Sequence, residues 1–135
     1  MLKRVLVCAA FAALVLGVTA CSKMDEMPAN VRGSYKVPRF VLGNVTLVIE
    51  AKGLKTPDCK VNCGEEKQDF KSITREGGLG GKKFKYTTNC CSGEIELEDD
   101  GSVSVKAKPV PGAPGDEGHR NMSCAQISGN HLKKL

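Results

Sequence analysis

Hydrophobic and polar positions divide this chain into two unlike parts. From Val5 to Leu16 twelve residues run without a charge, preceded by Lys3 and Arg4 and followed by Gly17. Beyond Arg32, apolar residues instead alternate with polar ones at period two, the pattern of strands with one buried face. Val45, Leu47 and Ile49 share one side of such a run, with Thr46, Val48 and Glu50 on the other. Phe84, Tyr86, Thr88 and Cys90 fall on one face of a second run, against Lys83, Lys85, Thr87 and Asn89. Weaker candidates cover residues 34–42, where Pro38 predicts an edge or a bend, and residues 70–74. A last strand is expected over residues 121–127, returning Cys124 to the core, and no amphipathic helix is expected past residue 20.

The sharpest local expectation is a hairpin over residues 94–106, and its turn is chosen by register. A two-residue loop at Asp100-Gly101 sets Leu97 against Ser104, so apolar side chains face polar ones. A three-residue loop over residues 99–101 pairs Leu97 with Val103, Ile95 with Val105 and Glu94 with Lys106. Only that register separates an apolar face from a charged one, and it leaves Gly101 free to take a positive φ. The row Glu94, Glu96 and Glu98 then reads as a solvated strand face, since no further carboxylates converge on it. Residues 77–81 (Gly-Gly-Leu-Gly-Gly) read as a flexible loop and residues 109–118 as a Pro/Gly connector.

The residues around position 21 carry the strongest clue to where the protein works. The layout of basic start, short apolar run and small residues is that of a secretory signal. Val18-Thr19-Ala20-Cys21 adds a cysteine directly after the small residue. This stretch resembles the lipobox of bacterial lipoproteins. The resemblance implies a diacylglyceryl group on the Cys21 sulfur, cleavage before that residue and a membrane-anchored protein in the bacterial envelope. Ser22 after the cysteine leans, by the same resemblance, towards the outer membrane. Residues 1–20 are then a discarded leader that takes Cys8 with it, residues 21–32 a lipidated flexible tether, residues 33–127 a small β domain and residues 128–135 a frayed tail. A transmembrane reading fits less well, because the apolar run falls short of the roughly 20 residues a spanning helix needs.

Composition narrows the rest. Without residues 1–20 the 20 basic residues lose Lys3 and Arg4, and 18 against 15 acidic residues leaves +3. That charge is mild and spread out, unlike a nucleic-acid footprint. Lys82, Lys83 and Lys85 form the densest basic group, with a solvated face as the first reading and an anionic envelope lipid or polymer as the other. Aromatics past the leader are limited to Tyr35, Phe40, Phe70, Phe84 and Tyr86, so a domain of about a hundred residues has a thin core and gains from cross-links.

Cys59, Cys63, Cys90, Cys91 and Cys124 are the candidates for those cross-links, with two disulfides and one leftover thiol expected in an oxidising compartment. Cys90 and Cys91 are neighbours on a strand-like run, so they are expected to face opposite ways and bond elsewhere, the Cys59–Cys63 loop being pinned to the strand that ends at Cys90. The predicted fold is all-β, a small antiparallel sandwich or partly closed barrel of about six or seven strands.

Catalytic groups are sparse. His119 and His131 lie in contexts that orient no nucleophile, and no Gly-x-Ser-x-Gly or His-Glu-x-x-His occurs. The expected role is therefore binding or structural, without catalysis and without a cofactor. The alternative is a metal-binding or thiol-redox lipoprotein, for which Cys59, Cys63, Cys90, Cys91, His119, Met122 and Cys124 supply soft ligands.

Overall fold

The computed structural model describes residues 21–39, 43–58, 63–113 and 117–135. The leader, with Cys8, and the expectations on Phe40 and Cys59 lie outside them. Among the described residues ten antiparallel strands form two sheets that share one core, so the all-β class holds, with more strands than the six or seven expected and no closed barrel. β1 (Cys21–Met24), β6 (Ser72–Glu76), β7 (Lys83–Thr87), β8 (Cys91–Leu97), β9 (Val103–Pro109) and β10 (Gly129–Leu132) make the larger sheet, in that order. β2 (Gly33–Arg39), β3 (Gly43–Ile49), β4 (Gly53–Lys55) and β5 (Lys67–Asp69) make the smaller one. Pro38 sits in β2, at the edge of its sheet, where a missing N–H costs no ladder bond.

Period two is realised where it was clearest. Val45, Leu47 and Ile49 are buried from β3, and Phe84 and Tyr86 from β7. The hairpin adopts the three-residue loop: Ile95 lies opposite Val105, Leu97 opposite Val103 and Glu94 opposite Lys106, and Gly101 has φ +88°. Asp100 accepts hydrogen bonds from the Ser102 N–H (2.9 Å) and hydroxyl (2.6 Å), which pin the turn and hold its carboxyl below the usual range. The weaker strand expected at 70–74 forms two residues later as β6.

Three expectations are corrected. Residues 21–32 are no tether: β1 pairs with β6, and Met27 and Val31 are fully buried. Pro28 accepts backbone hydrogen bonds from Val31 (3.0 Å) and Arg32 (3.2 Å), and this turn directs both apolar side chains inward. The polar composition misled because an edge strand is held by its backbone ladder and buries little of its side chains. Residues 128–135 are no frayed tail either. β10 pairs with β9, Lys134 bridges Tyr35, and the Leu135 N–H donates to the Ser34 carbonyl at 2.8 Å. These last residues join the two sheets.

Third, Cys124 reaches the core from a helix, α1 (Glu117–Gln126), and not from a strand. Cys124 and Ile127 are buried three residues apart, a helical spacing. Ser128 ends the helix by donating its hydroxyl to the Cys124 carbonyl at 3.0 Å. With so few apolar residues the segment shows no clear period of either kind.

Tyr86 gives the core a measurable pH response. Its ring is buried, and Phe70 meets it edge-on at 5.7 Å. Burial pushes the hydroxyl well above its ordinary value, and burial raises Tyr35 as well. A group whose folded value is raised stabilises the fold below its unfolded value of about 10 and loses that contribution as pH rises towards the folded value. Urea unfolding is therefore expected to show stability falling by about 1.4 kcal/mol per pH unit for Tyr86 above about pH 10. Tyr86→Phe should flatten that slope and cost less than about 1 kcal/mol at neutral pH, because its bond to the Lys106 carbonyl is long at 3.5 Å. An unchanged alkaline slope in the variant would refute the assignment.

Candidate functional site

Cys21, the residue expected to carry lipid, opens β1 and stands opposite Glu76 at the edge of the larger sheet. It is half-buried, and its sulfur takes part in a disulfide. The other described cysteines are accounted for in pairs. A thioether and a disulfide exclude one another on a single sulfur. Among the described residues no helix is long and apolar enough to cross a membrane.

The remaining cysteines converge. Cys63 bonds Cys90 and Cys91 bonds Cys124, so the two neighbours do bond elsewhere and the Cys63 end of its loop is fastened as expected. Their expected opposite orientation is corrected. Cys90 belongs to the turn before β8, and the two neighbouring sulfurs lie 3.5 Å apart in the core. Thr88 makes that turn: its hydroxyl accepts from the Cys90 N–H at 3.1 Å and the Cys91 N–H at 3.0 Å. A residue in a turn escapes strand alternation, and the polar Thr88–Asn89 pair was the available sign of it.

Cys90, Cys91 and Cys124 hold their sulfurs within 4.8 Å of one another, all buried. Three thiolates so placed would suit a soft metal such as zinc or copper(I), but as disulfides these sulfurs offer none of the anionic donors such a site uses. Of the other soft ligands, His119 and Met122 fall within α1, but their side chains are outside the described set. His131 is exposed on β10 and has φ 52°.

The charged groups singled out in the sequence meet one another. Lys82 forms an ion pair and hydrogen bond with Asp99, which raise the lysine and lower the carboxyl. Lys85 reaches Glu76 at 3.1 Å and is raised by that hydrogen bond. Glu94 lies between Lys85 and Lys106 across three strands, and Glu96 lies opposite Lys83. Lys82 and Lys85 thus take Asp99 and Glu76 as counterions, while Glu94 and Glu96 face lysines only across the strand ladder and form no ion pair among the described residues. Such exposed pairs contribute little stability and set charge pattern more than strength.

The residues that sequence reasoning missed are Lys106 and Lys108, which lengthen this pattern on β9; only their alternation with Val105 and Ala107 signalled a shared face. No protein-family model, curated protein or solved structure matches this chain.

Proposed function

We propose that this chain is an exported, lipid-anchored protein of the bacterial envelope, on the outer membrane in a Gram-negative host, whose disulfide-stapled β domain binds a partner or serves as a structural component. The observation that carries the reading is Val18-Thr19-Ala20-Cys21 directly after a charge-free run. Two disulfides in a domain with a small core support an oxidising compartment. A single acyl chain anchors only marginally, whereas the two or three implied by the lipobox hold a protein stably.

The Cys21 disulfide favours a second reading, ordinary secretion with cleavage after Ala20. The anchor reading requires the sulfur to be alkylated instead of paired. Mass spectrometry of the N-terminal peptide from envelope-purified protein separates the two. A diacylglyceryl mass on Cys21 is the expected result, and an unmodified Cys21 released only by reduction would overturn it.

The alternative to a binding component is a metal-binding or redox role, which the clustered sulfurs could serve only in reduced form. Thiol titration of the native protein, with and without zinc or copper, tests that. Disulfide-bonded Cys63, Cys90, Cys91 and Cys124 insensitive to metal fit the first reading, and four metal-protected thiols fit the alternative.

A further inference from the structure

The outer face of the larger sheet carries a depression of about 540 Å³, lined by residues of β7, β8 and β9. Its shape follows from strand register. Tyr86, Gly93 and Ala107 lie opposite one another on the three strands. Tyr86 and Ala107 turn their side chains towards the core and Gly93 has none, so this row offers the outer face mostly bare backbone. The rows on either side point outward. One is Lys85, Glu94 and Lys106; the other is Thr87, Ser92 and Lys108. A groove therefore runs across the strands, walled by polar side chains. Its walls stand two residues apart, about 7 Å, and it crosses three strands, about 10 Å.

Gly93 is needed for that floor. A Cβ there would meet the Lys106 carbonyl oxygen at 1.7 Å and the Ala107 Cα at 3.0 Å. Backbone cannot yield as a flexible side chain would, so β8 and β9 keep this approach only with glycine.

The walls are not electrically balanced. Lys85 is paired with Glu76, and Lys106 and Lys108, which form no ion pair among the described residues, then face one glutamate. Lys85, Lys106 and Lys108 are exposed, so occupying the groove requires no burial of an unpaired charge. The lining offers hydroxyls at Thr87 and Ser92 and an acceptor at Glu94, beside Tyr86 and Ala107 in the floor row. That set suits a ligand with negative charges and many hydroxyl groups.

We propose that this groove is the binding site of the domain and that it takes an acidic polysaccharide, with carboxylates against Lys106 and Lys108 and sugar hydroxyls against Thr87, Ser92 and Glu94. The inference rests on the binding role proposed above and not on the lipid anchor. It names the ligand class for that role.

The test is isothermal titration of the full exported protein with oligogalacturonate, a carboxylated oligosaccharide, at low and moderate salt. A neutral malto-oligosaccharide of the same length and phosphatidylglycerol vesicles serve as comparisons. Lys106→Glu with Lys108→Glu should weaken oligogalacturonate binding at least tenfold with an unchanged circular dichroism spectrum. Lys36→Glu with Lys52→Glu, both exposed in or beside the smaller sheet, makes the same change in net charge away from the groove and should leave affinity within twofold. Equal loss in both variants would mean unspecific charge attraction and overturn the site. So would no binding, equal binding of the neutral sugar, or vesicle binding through Lys106 and Lys108 in its absence. Because the N-terminal mass decides the anchor separately, a lipid-free protein that binds oligogalacturonate upholds the groove while refuting the anchor.

Discussion

Replacing Cys91 and Cys124 together with alanine is expected to lower stability by about 3–4 kcal/mol, read as a fall in the urea midpoint with little change in slope. The bridge closes a loop of sequence separation 33, and chain entropy in the unfolded state grows with the logarithm of that length. Removing both partners avoids a reactive buried thiol, so the loss reports the link itself. The bridge also decides where α1 sits. A ten-residue helix is marginal by itself in water. Hydrogen exchange in α1 should therefore quicken more than in β3 or β8. Cys63→Ala with Cys90→Ala removes a link of separation 27 and should cost a similar amount while α1 stays protected. A cost below about 1 kcal/mol for the first pair would show that this bridge does not constrain the chain as described.

Met27→Ala is expected to destabilise the domain by about 2–5 kcal/mol, whereas Glu26→Ala next to it should stay within about 0.5 kcal/mol. Met27 is fully buried in the shared core, its N–H donates to the Ala51 carbonyl at 2.8 Å, and its carbonyl accepts from Arg32 Nε at 2.6 Å. Glu26 is exposed and pairs only with Arg32 at 3.4 Å, a bond worth little in water. A tether would give no effect at either position, so thermal or urea unfolding of the two variants tells an ordered N-terminal segment from a loose one.

These two variants probe the elements that were hardest to read in the sequence. β3, β7 and the β8–β9 hairpin were legible because each buries one face, so burial writes an alternation into the residues. The hairpin was legible even to its turn, since one register alone put Ile95 and Leu97 opposite valines. β1, β4, β5 and β10 are three or four residues long, too short for a period to accumulate. Met27 and Val31 join the core from a turn, and no pattern marks such residues. α1 owes its place to a covalent bond and to Ile127, and a bond between distant residues leaves no local signal.

Of the candidate sites, the cysteine pairs could be narrowed but not chosen by sequence, because pairing depends on which turns bring sulfurs together. The avoidance of a Cys90–Cys91 bond was legible; the partner of each was not. The groove on the outer face was hidden for a different reason. Its lysines were each visible, yet its floor exists only because three separate strands bring Tyr86, Gly93 and Ala107 into one row.

The seam between the sheets bears on the order in which the fold assembles. Lys134 Nζ donates to the Asn30 carbonyl across a sequence separation of 104, and Leu135 docks beside Ser34. Contacts this distant form late, since their loop must close before they return any stabilisation. Residues 129–135 follow in the chain every other strand of the two sheets, so the segment that joins the sheets is the last of these elements to be synthesised.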